Sequence, residues 1–396
     1  MCASVTVQAA EWRGLIDVRA VDADASRSFT DSGLGKLRYD SSSGRFSLGQ
    51  AVLRGDFDLL DSVTATVDLS ASDQHHGVVD VREAWLAWNP VPAGAWKTRV
   101  KAGSFFPPTS VEIDYEGIGW TPKRTISSSA INSWIGEELR TNGVEWSARR
   151  LGRYAEASYD LGLVAAVFNG NDPTGTMLAW RGWSISDRIA GRNEALQLAD
   201  LPVYRADGAI PRQSRTIHPF REVDGHLGYY LGANLNYGKR LELAALHYDN
   251  RADPLIVKDG QYGWRTRFDH VSAVLRPHGD WELLMQAMRG DTLMGANAVA
   301  LDFRSWFALV SHPLGPATVA LRYDRFSTTG HDILPGDPND ETGHGLALAC
   351  SLPLSDSMEL MAEALRVSST RGARALIGEL PAQAEHSVTV SLRWRF

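Results

Sequence analysis

Apolar and polar residues alternate with a period of two along much of the chain. At the C-terminal end Val388, Val390, Leu392, Trp394 and Phe396 alternate with Ser387, Thr389, Ser391, Arg393 and Arg395. Val63, Ala65, Val67, Leu69 and Ala71 alternate with Thr64, Thr66, Asp68, Ser70 and Ser72. The same rhythm runs through 12–20, 96–102 and 227–237. A period of two puts every second side chain on one face, which predicts strands and not helices. These segments are about ten residues long, the length a strand needs to cross a bilayer. Aromatic residues sit at the ends of the apolar face, where membrane and water would meet. In a soluble sandwich the strands would be shorter and the polar face would look onto bulk water.

The links between these segments alternate between short and long. Short ones fall at Asp61-Ser62, 90–94, Gly152-Arg153, Gly238-Lys239, 277–279, 313–315 and 353–355. Long ones fall at 22–44, 106–141, 169–225, 327–341 and 368–385, with medium links at 250–263 and 290–297 and a modest loop at His75-His76-Gly77. Short periplasmic turns and longer outer loops are the asymmetry of a bacterial barrel. The reading is therefore all-β, a transmembrane antiparallel β-barrel of about 16 strands, an even number as such barrels require. RGWSISDRI (181–189) could form a further strand, which alone would break that parity, so it is assigned to the loop or to half of a pair. The barrel is expected over 11–396. Residues 1–10 read as a signal-peptide remnant or an N-terminal extension. Val7-Gln8-Ala9 has the small-x-small form of a cleavage site, without the basic and apolar regions that precede one.

Composition narrows the function classes. The formal net charge of -7 argues against a nucleic-acid partner, whose footprint is a basic field. No apolar run approaches the ~18 residues of a membrane helix. The two cysteines, Cys2 and Cys350, have neither metal-type spacing nor a convincing pairing. No G-x-S-x-G, P-loop or H-E-x-x-H motif is present, so no enzyme and no cofactor is expected. His75 and His76 are adjacent, so their rings diverge. The acidic loop with Asp332, Asp337, Asp340 and Glu341 fits no EF-hand and reads as hydrated, so no metal is expected. Trp85, Trp88, Trp96, Trp281 and Trp394 read as belt or wall aromatics.

Charged positions then acquire a side. Lys97, Arg99 and Lys101 share one strand face, opposite Trp96, Thr98, Val100 and Ala102. Lys or Arg facing lipid near the midplane costs about 2–4 kcal/mol, so the strip should line the lumen and attract anions. Its competing role is a polar wall paired with acidic loop residues. Lys123, Arg124 and Arg322 are further pore-lining candidates, although Arg322 with Asp324, like Arg19 with Asp17, also reads as a wall ion pair. Arg393 and Arg395 should face the lumen near the periplasmic mouth.

The terminal SLRWRF, ending Trp394-Arg395-Phe396, resembles the signal by which outer-membrane barrels are recognised for assembly. VDVREAWLAWNP (79–90) followed by RVKAGSFFPPTSVE (99–112) resembles the strand–turn–strand–loop segment of the phosphate- and polyphosphate-selective porins. The matching residues are Arg82, Glu83, Ala84 and Trp85, then Gly103, Phe105, Phe106, Pro107 and Pro108. That resemblance implies a sixteen-stranded barrel, usually a trimer, with the third outer loop (about 106–141) folded inward. It also brings Glu112, Asp114 and Glu116 towards the constriction, where they would offset or reverse anion preference. The function expected is an outer-membrane porin, a passive channel for small hydrophilic solutes with anions or phosphate preferred. Its expected partners are those solutes, outer-membrane lipids, the barrel assembly machinery and two further copies of the chain. The alternatives are a lipase-like barrel enzyme and a soluble, secreted β-rich binding protein.

Overall fold

The computed structural model describes residues 9–73, 79–92, 94–114, 118, 120–277, 279–332 and 334–396. Sixteen strands form one closed barrel. They are β1 Ala9–Asp24, β2 Phe46–Leu60, β3 Val63–Ala71, β4 Asp80–Trp88, β5 Trp96–Phe105, β6 Thr141–Arg150, β7 Tyr159–Asn169 and β8 Gly228–Tyr237. The second half comprises β9 Leu241–Asp249, β10 Arg265–Leu275, β11 Glu282–Met294, β12 Val299–Leu314, β13 Ala317–Gly330, β14 Glu341–Pro353, β15 Met358–Arg371 and β16 Ala382–Arg395. Each strand pairs antiparallel with the next, and β16 returns to β1 from Leu15↔Arg395 to Asp24↔His386. The seam is completed by Phe396, which exchanges backbone hydrogen bonds of 2.8 and 3.2 Å with Gly14. A closed sheet leaves no unpaired edge, the condition for a β-structure in lipid.

The expected alternation of links holds. Turns at 61–62, 238–240 and 315–316 lie at one end, and the segments 106–140 and 170–227 at the other. β1 runs three residues past its expected range, and β15 and β16 extend into the link expected at 368–385. The tract 181–189 adds no strand to the barrel; its only β contact is a single bridge between Ile185 and Leu37. His75 and His76 lie outside the described residues.

The alternation reads out as two surfaces. Leu321, Leu346, Leu348, Val388 and Val390 are exposed on the outside. Trp12, Trp88, Trp96, Trp281 and Trp394 are also exposed, near the periplasmic turns, as a girdle. Trp85 differs. It pairs with Thr66 and Gly103, and the guanidinium of Arg99 lies over its ring, so it faces the lumen. Cys350 is exposed on the outer face of β14.

The barrel's core lies in its lumen. Segment 106–140 folds inward and carries helix α1, Ala130–Glu138. Segment 170–227 also folds inward, with the one-turn helix α2, Thr176–Trp180. α1 begins at Ser129, whose hydroxyl accepts from the Asn132 amide, the usual N-cap arrangement. Trp134, Trp180 and Trp183 are buried between these segments and the wall. Irregular backbone at membrane depth is tolerated where protein surrounds it, and both segments meet that condition.

Candidate functional site

The lumen is shaped by where its first inward segment starts and what it binds on the way down. A bulge opposite Asp68 and Leu69 turns both Arg82 and Glu83 of β4 away from lipid. Glu83 then accepts the Phe106 amide at 2.9 Å, just where the chain leaves β5. Phe106 stacks on Trp120 at 3.9 Å, and the Arg140 guanidinium lies 3.4 Å from the Phe106 ring centre on the other side. Gly103 is needed nearby. Its φ is +141°, and a Cβ there would come within 2.3 Å of the Ala84 carbonyl. The residues of the quoted motif thus form the hinge that bends the segment inward.

The segment is then pinned to the opposite wall. Arg322 of β13 bonds Asp324 at 2.8 Å and Glu112 at 2.7 Å, and donates to the Ser127 carbonyl at 2.5 Å. Glu112 also accepts the Ser129 amide at 3.0 Å and the Asn132 side chain at 2.6 Å. Glu363 of β15 accepts the Ile126 and Ser127 amides at 2.9 and 3.1 Å. The tip reaches the periplasmic third: Ile118 packs on Leu15 and Val52, and Arg124 pairs with Glu282, the first residue of β11, at 3.0 Å.

Lys97, Arg99 and Lys101 do face the lumen, climbing β5 from the periplasmic mouth. Lys97 is exposed. Arg99 lies 4.7 Å from the Trp85 ring centre and, among the described residues, has no carboxylate partner. Lys101 is 3.1 Å from Glu145 of β6 and 4.0 Å from the Phe105 ring centre. Their expected companions separate. Lys123 is exposed at the tip of the inward segment. Arg124 is held by Glu282. Arg322 is 0 % exposed, so it anchors the inward segment and offers no charge to a solute. Glu112 is buried with it and likewise leaves the solute path. Asp114 is half-buried in the two-residue ladder Ile113–Asp114 against Thr121–Pro122, and Glu116 lies outside the described residues. Arg393 faces the lumen but is buried, bonded to Asp17 at 3.2 Å. Arg395 pairs with Glu359 at 2.9 Å near the periplasmic mouth. Trp394 and Phe396 are exposed on the outer wall at the β16–β1 seam.

The second inward segment is held by charges of which the sequence singled out only Arg19, as a partner of Asp17. Asp187 sits between Arg19, at 2.5 Å, and Arg38, at 3.0 Å. Glu137 of α1 takes Arg181 at 2.5 Å and Arg188 at 2.8 Å, which ties the two inward segments together. The available signal was the tract 181–189 itself, where charged residues interleave with Trp183, Ile185 and Ile189 inside a presumed loop. Such a pattern belongs to an extended chain buried on all sides.

On the outer side, Asp172, Glu222 and Asp224 bring carboxylate oxygens within 4.8 Å of one another, the one such grouping among the described residues with metal-type donors. Burial pushes the Asp172 carboxyl up to about 7, and the neighbouring carboxylates Glu222 and Asp224 add to the rise. The Val223 and Asp224 amides donate to it at 2.5 and 3.3 Å.

No family model and no curated protein matches the chain. Solved structures do match, over almost the whole length. OmpT, an outer membrane protein of Vibrio cholerae, superposes with a TM-score of 0.52 at 9% identity, covering 100% of both chains. An anion-selective porin from Comamonas acidovorans gives 0.52 at 13% identity, covering 98% of this chain and 99% of that one. The outer membrane channel DcaP of Acinetobacter baumannii gives 0.55 at 8% identity, covering 98% and 97%. At such identities the likeness is one of fold. Together with the outward apolar band and its aromatic girdle, the fold places this chain in a bacterial outer membrane.

Proposed function

We propose that the chain is a passive porin for small hydrophilic solutes, with a preference for anions set at its periplasmic mouth. The observation that carries this reading is the lumen-facing strip Lys97, Arg99 and Lys101, with Arg99 lacking a carboxylate partner among the described residues. Glu112, which would have opposed it, is sequestered by Arg322. In a lumen walled by low-dielectric protein, each remaining charge acts more strongly on a passing ion than it would in bulk water. The hinge of Glu83, Gly103 and Phe106 supports kinship with the phosphate- and polyphosphate-selective porins. A homotrimer is the assembly we infer, by analogy with an OmpT structure described as a trimer form.

The test is the reversal potential of single channels across a KCl gradient. Lys97→Gln, Arg99→Gln and Lys101→Gln together should shift it towards cation preference, more in dilute salt than near 1 M, where screening falls to about 3 Å. A wild-type channel that prefers cations, with a reversal potential unmoved by the triple change, would sink the anion reading.

A further inference from the structure

The outer wall carries a cluster of charges at the outer edge of its apolar band. On β12 the outward positions run from His312 through Val310, Ala308 and Trp306 to Arg304 and Asp302. His312 stacks on Trp281 of the periplasmic girdle at 4.3 Å between ring centres. Eight residues separate it from Arg304; at a rise of ~3.3 Å and a tilt of about 40°, that is roughly 20 Å of height. Trp306 and Tyr323, 5.5 Å apart, form an aromatic step directly below. The charges therefore sit at the headgroup level of the outer leaflet.

Three arginines make a contiguous arc there. Arg289 of β11 lies directly opposite Arg304 of β12, a like-charge pairing that is unfavourable on a sheet surface. Arg304 faces Ser327 of β13 and donates to its hydroxyl at 3.0 Å, while Arg325 stands two residues away, opposite Trp306. The nearby acids are mostly engaged: Asp291 by Arg267 at 2.7 Å, Asp302 by His331 at 2.9 Å and Asp269 by His247 at 2.9 Å. Arg289 reaches Asp269 only at 3.6 Å and is 82% exposed. Arg304 and Arg325 have no carboxylate partner among the described residues. Two grooves meet at this arc and share Arg304 and Ser327. The upper one, about 660 Å³, is lined by charged side chains; the lower one, about 360 Å³, runs over Ala287 and Trp306.

We propose that this face seats a phosphorylated glycolipid of the outer leaflet, with its phosphate held by Arg289, Arg304 and Arg325 and acyl chains in the groove beside Trp306. Guanidinium groups bind phosphate through paired, charge-assisted hydrogen bonds. A bound phosphate also removes the cost of placing Arg289 opposite Arg304. The lower groove gives a lipid what a free anion would not need. This assignment is independent of what crosses the lumen.

The experiment uses the full chain folded in detergent micelles, with native mass spectrometry counting bound lipid. Probes are diphosphoryl lipid A, its dephosphorylated form and inorganic phosphate. Wild type should hold the diphosphoryl lipid at least tenfold more tightly than the dephosphorylated one. Arg289→Gln, Arg304→Gln and Arg325→Gln together should abolish that difference, and Arg366→Gln, outward on β15, should not. Only the heat-modifiable, folded fraction is scored, and Arg304→Gln alone serves if the triple variant fails to fold. Equal binding of the two lipids, or no loss in the arginine variants, overturns the proposal. So does full displacement by inorganic phosphate at concentrations comparable to the lipid, which would mark a free-anion site. A changed oligomeric state in lipid-free arginine variants overturns it too, because the face would then be an interface between copies.

Discussion

Arg322 illustrates how a charge can face the lumen and still be withdrawn from solutes. It has two acidic partners, Asp324 and Glu112, and carbonyls of the inward segment complete its shell. Removing one member of such a buried group leaves the others uncompensated, at a cost of about 3–5 kcal/mol. Arg322→Gln should therefore lower the denaturant midpoint of the folded barrel and release 112–130, increasing current noise in single channels. An unchanged midpoint would mean that the segment is held elsewhere. Sequence spacing could pair Arg322 with Asp324 across two positions of one strand. It could not supply Glu112, which arrives from 210 residues away.

At the scale of elements, the last strand and the outer segments respond to different tests. Phe396 closes β16 on β1 by backbone bonds to Gly14, and its ring covers that glycine, where a Cβ would meet it at 2.2 Å. Deleting Phe396 should lower the amount of assembled barrel in outer membranes more than it lowers the stability of refolded protein. Equal losses in both would argue against a recognition role for the terminal residue. In the outer segments, Asp172 titrates near pH 7 in the fold but near 3.9 in an unfolded chain, so the folded state binds more protons between those values. Stability of 170–173 against 222–224 should accordingly fall as pH rises through that window. Amide exchange at Val223 and Asp224, corrected for its intrinsic pH dependence, should quicken between about pH 5 and pH 8. Asp172→Asn should flatten the change; a slope that survives the substitution assigns it to another group.

For the whole molecule, the second inward segment is a further filling of the lumen. It brings Trp180 and Trp183 into the core and inserts Asp187 between two wall arginines. Replacing 176–217 by a short Gly-Ser linker should raise single-channel conductance several-fold in the fraction that folds. The same variant should be less stable, because Glu137, Arg19 and Arg38 lose partners. Conductance equal to wild type would show that the solute path runs clear of this segment.

The closed wall was legible along the chain because its information is local. A period of two fixes which face each residue takes, and turn residues fix where strands end. Spacing put Lys97, Arg99 and Lys101 on one face, and the cost of placing such charges against lipid put that face on the lumen side. The parity of the strand count likewise kept 181–189 from standing as a single extra strand, leaving it to the loop or to half of a pair. Trp85 and Trp88, three residues apart on β4, take opposite faces by period alone, but residue type did not say which of them faces inward; the bulge at Arg82, ahead of both, sets that. What fills the lumen depended on the tertiary structure. Inward segments have no period to read, and their partners lie on strands distant in sequence. Whether a charge attracts solute or pins a loop is set by burial and pairing, which emerge only when the barrel closes around them.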